Sequence, residues 1–166
     1  MAELAYLDGT IAPIDELATS VRDRGFVFGD GVYDVARLYA GGPWRLDRHL
    51  ERLRRNPGEI ELDEIPSTDE LRTVTDELVE RSGIDDGMIY LQLTRGVAPR
   101  ASPYPDVEPT VYVAVEAYRR GADALYEEGA SAIFVEDIRW DRNDIKSINL
   151  LPKVMMAERA ERAGAY

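Results

Sequence analysis

The chain has no cysteine, one histidine and, among its 20 basic residues, only two lysines, Lys146 and Lys153. Each scarcity removes a class of chemistry. Without cysteine there is no disulfide, no thiolate nucleophile and no zinc–sulfur site. His49 alone makes a catalytic triad or a multi-histidine metal site hard to assemble. No run approaches the roughly 18 apolar residues that a membrane span needs, and the opening MAELAYLDG lacks the basic start and apolar stretch of a signal peptide. The expectation is a cytoplasmic protein with no membrane partner. Basic charge is short as well: 32 acids against 20 bases leave a net charge of -12, which repels phosphate backbones and argues against nucleic acid.

What is present is ordinary globular material, 166 residues with 45% hydrophobic and 31% charged, enough for one good core or two small ones. Ala5 to Ile11 reads as two short strands about the Asp8-Gly9 turn, because Asp-Gly takes the positive backbone angles that tight hairpins need. Gly31 to Tyr39 alternates, with Tyr33, Val35, Arg37 and Tyr39 on one face and Val32, Ala36 and Leu38 on the other. Gly41-Gly42 is expected to turn it back into a strand at Trp44-Arg45-Leu46. Asp47 is a good N-cap for a helix through His49, Arg52 and Leu53, which Asn56-Pro57-Gly58 should stop near Arg55, since proline lacks the amide and clashes with the preceding turn.

Ser67 with Glu70 three residues on is a capping box, and Leu71, Val74, Leu78 and Val79 form an apolar stripe as far as Ser82-Gly83. Met88 to Thr94 and Thr110 to Ala117 are strands by their β-branched and aromatic content, joined by the proline-rich loop Gly96 to Pro109. Arg119-Arg120-Gly121 is a candidate boundary between an N-terminal domain, residues 1–119, and the beginning of a second, 120–166. In the second, Ala130 to Val135 reads as a strand and Pro152 to Ala163 as a helix closed by Gly164. Strands and helices are partly segregated, so the fold class is α+β. A domain of one strand, one irregular segment and one helix cannot bury both faces of a sheet, which marks the second domain as incomplete.

The stretch from Ile138 to Lys153 contains both lysines. Lys146 lies between Ile145 and Ile148, with Asp144 and Arg142 nearby. A partly buried amine beside a cation shifts toward the neutral, nucleophilic form and can make a Schiff base. A solvated lysine ahead of a helix is the ordinary alternative.

The run DIKSINLLPKV resembles the signature around the cofactor lysine of D-amino acid transaminases, in the fold-type IV family of pyridoxal-phosphate enzymes. Four further words occur in family order: RDRGFVFGDGVYDV from Arg22, RLDRHLERL from Arg45, MIYLQLTRGVAPRA from Met88 and FVEDIRW from Phe134. Together they span nearly the whole chain. The resemblance implies a small N-terminal α+β domain followed by a cofactor domain, and transamination between a D-amino acid such as D-alanine and a 2-oxo acid such as 2-oxoglutarate.

By the same resemblance Lys146 holds pyridoxal 5'-phosphate covalently and then serves as general base and acid. Arg52 matches the arginine that binds the cofactor phosphate, for which a guanidinium fork is well shaped. Tyr33 and Arg100 match the residues that grip the substrate carboxylate, the arginine arriving from the partner subunit of a homodimer. Val35 and Arg37 share the Tyr33 face and line the side-chain pocket. His49, three residues from Arg52 on one helix, is read as structural or supporting. The glycines of GFVFGDG lack the lysine and spacing of a phosphate loop and are read as turn requirements.

The chain departs from the pattern in three places, one of them Asn56-Pro57-Gly58, unexpected in the helix that carries HLERL. Ser102 stands where the family word has histidine, which removes a charge from the carboxylate trap. The acidic partner of the pyridine nitrogen and the later phosphate-binding turns are expected beyond Tyr166, so this stretch reads as the N-terminal part of a longer enzyme. Two rivals to D-amino acid transamination follow. One is another chemistry of the same family, either aminodeoxychorismate lyase action or branched-chain or amine transamination. The other is an incompetent fragment that acts only in subunit pairing.

Overall fold

The computed structural model describes residues 2–118 and 124–166. The chain separates into two compact units. The first runs to Tyr118 and also takes in Ile145–Ile148; the second holds the remainder. The candidate boundary at Arg119-Arg120-Gly121 lies outside the described residues.

The first unit is one six-stranded antiparallel sheet with two helices on one face. Strands β1 (Leu4–Leu7) and β2 (Thr10–Pro13) form the expected hairpin, with Asp8 at φ 45° and Gly9 at φ 95° in the turn. A short helix α1 (Arg24–Phe28) is capped by Asp23, whose carboxylate accepts from the Gly25 amide, and leads into the long strand β3 (Gly31–Tyr39). After β4 (Gly42–Pro43) come the helices α2 (Leu46–Gly58) and α3 (Thr68–Ser82), then β5 (Gly87–Thr94) and β6 (Thr110–Ala117). The strand order is β2-β1-β6-β5-β3-β4. The capping box at Ser67 and Glu70 is complete in both directions, and Gly83 closes α3 in the left-handed region at φ 63°.

Val32, Ala36 and Leu38 of β3, Ile89, Leu91 and Leu93 of β5, and Val111, Val113 and Val115 of β6 form the apolar side of the sheet. Leu46, Leu50 and Leu53 of α2 and Leu71 and Leu78 of α3 close over it. Each such side chain removed from water contributes about 1.5–3 kcal/mol. Their combined burial pins the register, because a one-residue slip would turn the whole set outward.

Three expectations in this unit are corrected. Asp47 is not the N-cap of α2 but lies inside its first turn, and the cap position falls to Arg45. The return strand at Trp44-Arg45-Leu46 does not form, and β4 stops at Pro43. Arg45 takes φ 52° and starts α2 at Leu46, because Leu46 is the first residue of the stripe that meets the sheet. Nor does α2 stop near Arg55: it continues through Pro57 to Gly58. Proline forfeits one amide bond there, but Asn56 and Pro57 are buried, and the carbonyl of Pro57 accepts from both Ile60 and Leu62, which winds the chain tightly off the helix end.

The second unit contains α4 (Ala124–Glu127) and α5 (Leu151–Arg162), the latter with Pro152 in its first turn as the sequence predicts. The expected strand at Ala130 to Val135 is absent: those residues are irregular, and Phe134 is fully exposed. A strand needs a partner strand, and among the described residues this segment has none; the Tyr166 amide donates to the Ser131 carbonyl at 2.9 Å without extending into a ladder. No residue of the second unit whose exposure is described is buried. No described helix is long and apolar enough to cross a membrane.

Candidate active site

The site is built on the sheet face that the helices leave uncovered. Register places Gln92 opposite Tyr33, Tyr90 opposite Val35 and Met88 opposite Arg37, so these six side chains share that face. The Tyr33 and Tyr90 rings stack at 5.7 Å, and Tyr112 continues the row at 6.1 Å from Tyr90. Burial, with the neighbouring phenols Tyr33 and Tyr112, pushes the Tyr90 hydroxyl up to about 12, so it stays protonated and donates to Oε1 of Gln92 at 2.7 Å.

Lys146 reaches this face from the edge of β3. The segment Ile145–Ile148 lies along the first residues of the strand: the Tyr33 amide donates to the Lys146 carbonyl at 3.0 Å, the Ile148 amide donates to the Gly31 carbonyl at 3.1 Å, and Val32 pairs with Ser147. Gly31 permits this approach. A Cβ there would stand 2.5 Å from the Leu93 carbonyl oxygen and 3.1 Å from Ile148. With Ile145 and Ser147 buried on either side, Lys146 is half-buried and its Nζ lies 3.9 Å from the centre of the Tyr33 ring. It is therefore not a solvated lysine ahead of a helix. Lys153, the other lysine, is exposed on α5.

Arg52 comes from α2 and is fixed by Asp34, a residue that the sequence reading passed over. Asp34 sits on the packed side of β3 with a fully buried side chain. Its carboxylate accepts from Arg52 Nε at 2.6 Å and Nη2 at 2.7 Å, and Nδ1 of His49 stands 2.8 Å from the same group. Burial by itself would raise the Asp34 carboxyl, but the hydrogen bonds from Arg52 and His49, the Arg52 charge and the Val35 amide outweigh it and hold the group below the usual carboxylate value. The bonds to Asp34 in turn raise Arg52, with a further contribution from the charge of Tyr33. The guanidinium is thus held in a bidentate grip with its Nη1 edge making no bond to a described residue, and 43% of the side chain is exposed. An oriented, partly exposed guanidinium of this kind has donor geometry that suits a phosphate.

Val35 and Arg37 are half-buried on the Tyr33 face. The Arg37 guanidinium lies 4.3 Å from the Tyr118 ring and 5.1 Å from that of Tyr39, and its Nη1 is buried without a hydrogen-bond partner among the described residues. Arg100 is elsewhere. It is exposed on the loop between β5 and β6, 5.3 Å from the Phe28 ring, and makes no hydrogen bond, ion pair or ring contact with Tyr33, Arg52 or Lys146 among the described residues. The first unit therefore places Lys146, Tyr33, Val35 and Arg37 on the uncovered face, holds Arg52 on Asp34 from the packed side, and leaves Arg100 apart. Asp34 was detectable in principle: an acid at an inward position between Val32 and Ala36 must find a cation when it is buried. Tyr90 and Met88 could be found only from the register.

The chain belongs to the amino-transferase class IV family, whose model matches residues 31–166. Among curated relatives, the D-alanine aminotransferase of Staphylococcus aureus (strain MSSA476) is 42% identical over 165 residues, 98% of this chain and 58% of the relative. The chain thus spans little more than half the length of such relatives. Among solved structures, the Escherichia coli branched-chain amino acid aminotransferase shares the fold with a TM-score of 0.88 at 21% identity, over 99% of this chain and 58% of that one. The 4-amino-4-deoxychorismate lyase of Pseudomonas aeruginosa matches with a TM-score of 0.74 at 26% identity, over 97% and 58%.

Proposed function

We propose that the protein to which this chain belongs transfers an amino group between a D-amino acid and a 2-oxo acid, working with pyridoxal 5'-phosphate in the cytoplasm. The observation that carries this reading is the placement of the Lys146 amine against Tyr33, on the same few residues of β3 whose next member, Asp34, orients Arg52. An amine and an arginine fork brought to one strand end are the two groups needed to hold an aldehyde and a phosphate. When bound, the cofactor supplies the electron sink that lets a proton leave the substrate Cα.

The residues divide the remaining work. Arg52, with the Asp34 grip preventing its rotation, binds the phosphate. Lys146 Nζ, once freed by the incoming amine, takes the Cα proton and returns it on the far side of the transfer. The Tyr33 hydroxyl and Arg100 hold the α-carboxylate. Arg37, whose buried Nη1 has no partner among the described residues, suits the second carboxylate of an acidic partner such as 2-oxoglutarate. Val35 bounds the same pocket. Arg100 reaches the site from a second copy of the chain; its separation from Tyr33 within one chain supports a homodimer. So do the exposed Val21, Phe26 and Val97, on two segments bonded to each other through Arg24 and Gly96. The D-configured substrate rests on the 42% identity to a D-alanine aminotransferase.

The test is to add pyridoxal phosphate, follow the visible absorbance, reduce with borohydride and map the labelled peptide. Label on Lys146 and bleaching of the band by D-alanine but not L-alanine are expected. Label on Lys153, or equal response to both enantiomers, overturns the reading. Bleaching by L-leucine or turnover of aminodeoxychorismate would move the protein to another chemistry of the family.

A further inference from the structure

The loop between β5 and β6, residues 95–109, has fifteen residues and no regular structure beyond the Asp23–Val97 bridge. Loops of this length are ordinarily mobile or functional. This one is gripped from inside by two arginines, Arg24 and Arg95, whose side chains are each only 4% exposed. Both direct Nε to the same oxygen, Asp30 Oδ2, at 2.8 Å. Arg24 then spends its remaining donors on the loop: Nη1 on the Ala101 carbonyl at 2.6 Å and Nη2 on the Ser102 carbonyl at 3.4 Å. Arg95 donates to the carbonyls of Ile60 and Glu61 and lies 3.6 Å from the Tyr104 ring. The loop is thereby anchored at 101, 102 and 104, immediately after Arg100.

Arg100 itself is exposed, and its guanidinium stands 5.3 Å from the Phe28 ring, the ring that Arg24 also approaches at 4.7 Å. Two buried guanidiniums on one carboxylate are a poor way to gain stability. Each is costly to desolvate, and one carboxylate balances only one of them. The arrangement makes sense as a device that fixes the position of something else.

We propose that Arg24 is a positioning residue for Arg100: by holding the carbonyls of Ala101 and Ser102 and sharing Phe28, it sets the direction in which Arg100 presents its guanidinium to a substrate carboxylate. This rests on the assignment of Arg100 to that carboxylate. A preset arginine binds its anion without the cost of ordering the loop at each encounter, so loss of the grip acts on substrate affinity and leaves the proton transfer at Lys146 unchanged.

The test is steady-state kinetics on the complete, cofactor-loaded protein for Arg24→Met, Arg24→Lys, Phe28→Leu, Arg100→Ala and the Arg24→Met/Arg100→Ala double variant, with thermal unfolding and cofactor affinity measured alongside. Arg24→Met should raise KM for the amino substrate by about tenfold with kcat and cofactor affinity nearly unchanged, and Arg24→Lys should recover part of the loss. In the Arg100→Ala background the same change should add less than about twofold, since the residue it positions is gone. Phe28→Leu, which leaves no buried charge unpaired, should raise KM severalfold and decides the matter if Arg24→Met does not fold. An unchanged KM in folded Arg24→Met or in Phe28→Leu, or an effect of Arg24→Met that survives undiminished without Arg100, overturns the proposal. If Arg100→Ala alone leaves KM unaltered, it is the carboxylate assignment that fails, and the positioning role with it.

Discussion

The two faces of β3 are made from neighbouring residues yet obey different rules. Val32, Asp34, Ala36 and Leu38 point toward α2 and α3 and are wholly buried, whereas Tyr33, Val35, Arg37 and Tyr39 run from nearly buried to half exposed on the uncovered side. On the first face volume decides what is allowed; on the second, chemistry does. Asp34 crosses that division. It occupies a packing position, and its carboxylate serves the site by holding Arg52.

The sharpest way to break the contrast is Lys146→Ala. It should lower the proposed transamination by about 10²–10⁴-fold, the usual cost of losing a positioned acid–base group, while moving the thermal midpoint little; a large loss of stability would mean that the open face also carries the fold. Leu50→Ala is the counterpart. At 0% exposure it should cost about 2–5 kcal/mol in denaturant unfolding, with cofactor labelling of the remaining folded protein unaltered. A changed label site there would show that the two faces are not separable.

Asp34→Asn should fall between them, weakening cofactor binding about tenfold, as for loss of an oriented arginine fork. It also carries a pH signature. Because the folded Asp34 carboxyl lies below its ordinary value of 3.8, its contribution to stability is complete above that value and is lost as the pH falls through the lower folded one. Unfolding measured down the acid limb should therefore steepen below about pH 4 in the native chain and flatten in Asp34→Asn; an identical limb in both would assign that acid sensitivity to another group. The smallest effect belongs to Ser67→Ala, remote from the uncovered face. Loss of the cap should cost about 1 kcal/mol and leave KM untouched.

Much of the packed face was legible because it follows local rules. The alternation of β3, the Asp8-Gly9 turn and the Ser67–Glu70 box each declare themselves within a few residues. The misreadings share one cause, that tertiary context outweighed a local preference. Burial of Asn56 and Pro57 carried α2 past its apparent stop, and the β-branched run at 130–135 found no neighbouring strand. The open face was legible in a different way. Lys146, Arg52 and Tyr33 are assigned to the proposed site on whole words of family resemblance, whereas Asp34 and the Arg24–Asp30–Arg95 cluster join residues far apart in sequence, and only pairing across the fold discloses them.

The docking of Ile145–Ile148 on β3 also bears on the order of folding. The lysine segment belongs to the first unit, yet residues 119–144 separate it from the rest of that unit. Closing such a loop grows only slowly more costly with length, about 0.6 kcal/mol per doubling, but it cannot happen until the edge of β3 exists to receive the segment. During synthesis the sheet and its helices emerge first, and the amine is seated afterwards. All six strands and both packed helices thus precede Lys146 in the growing chain, and the amine is the last part of the first unit to be seated.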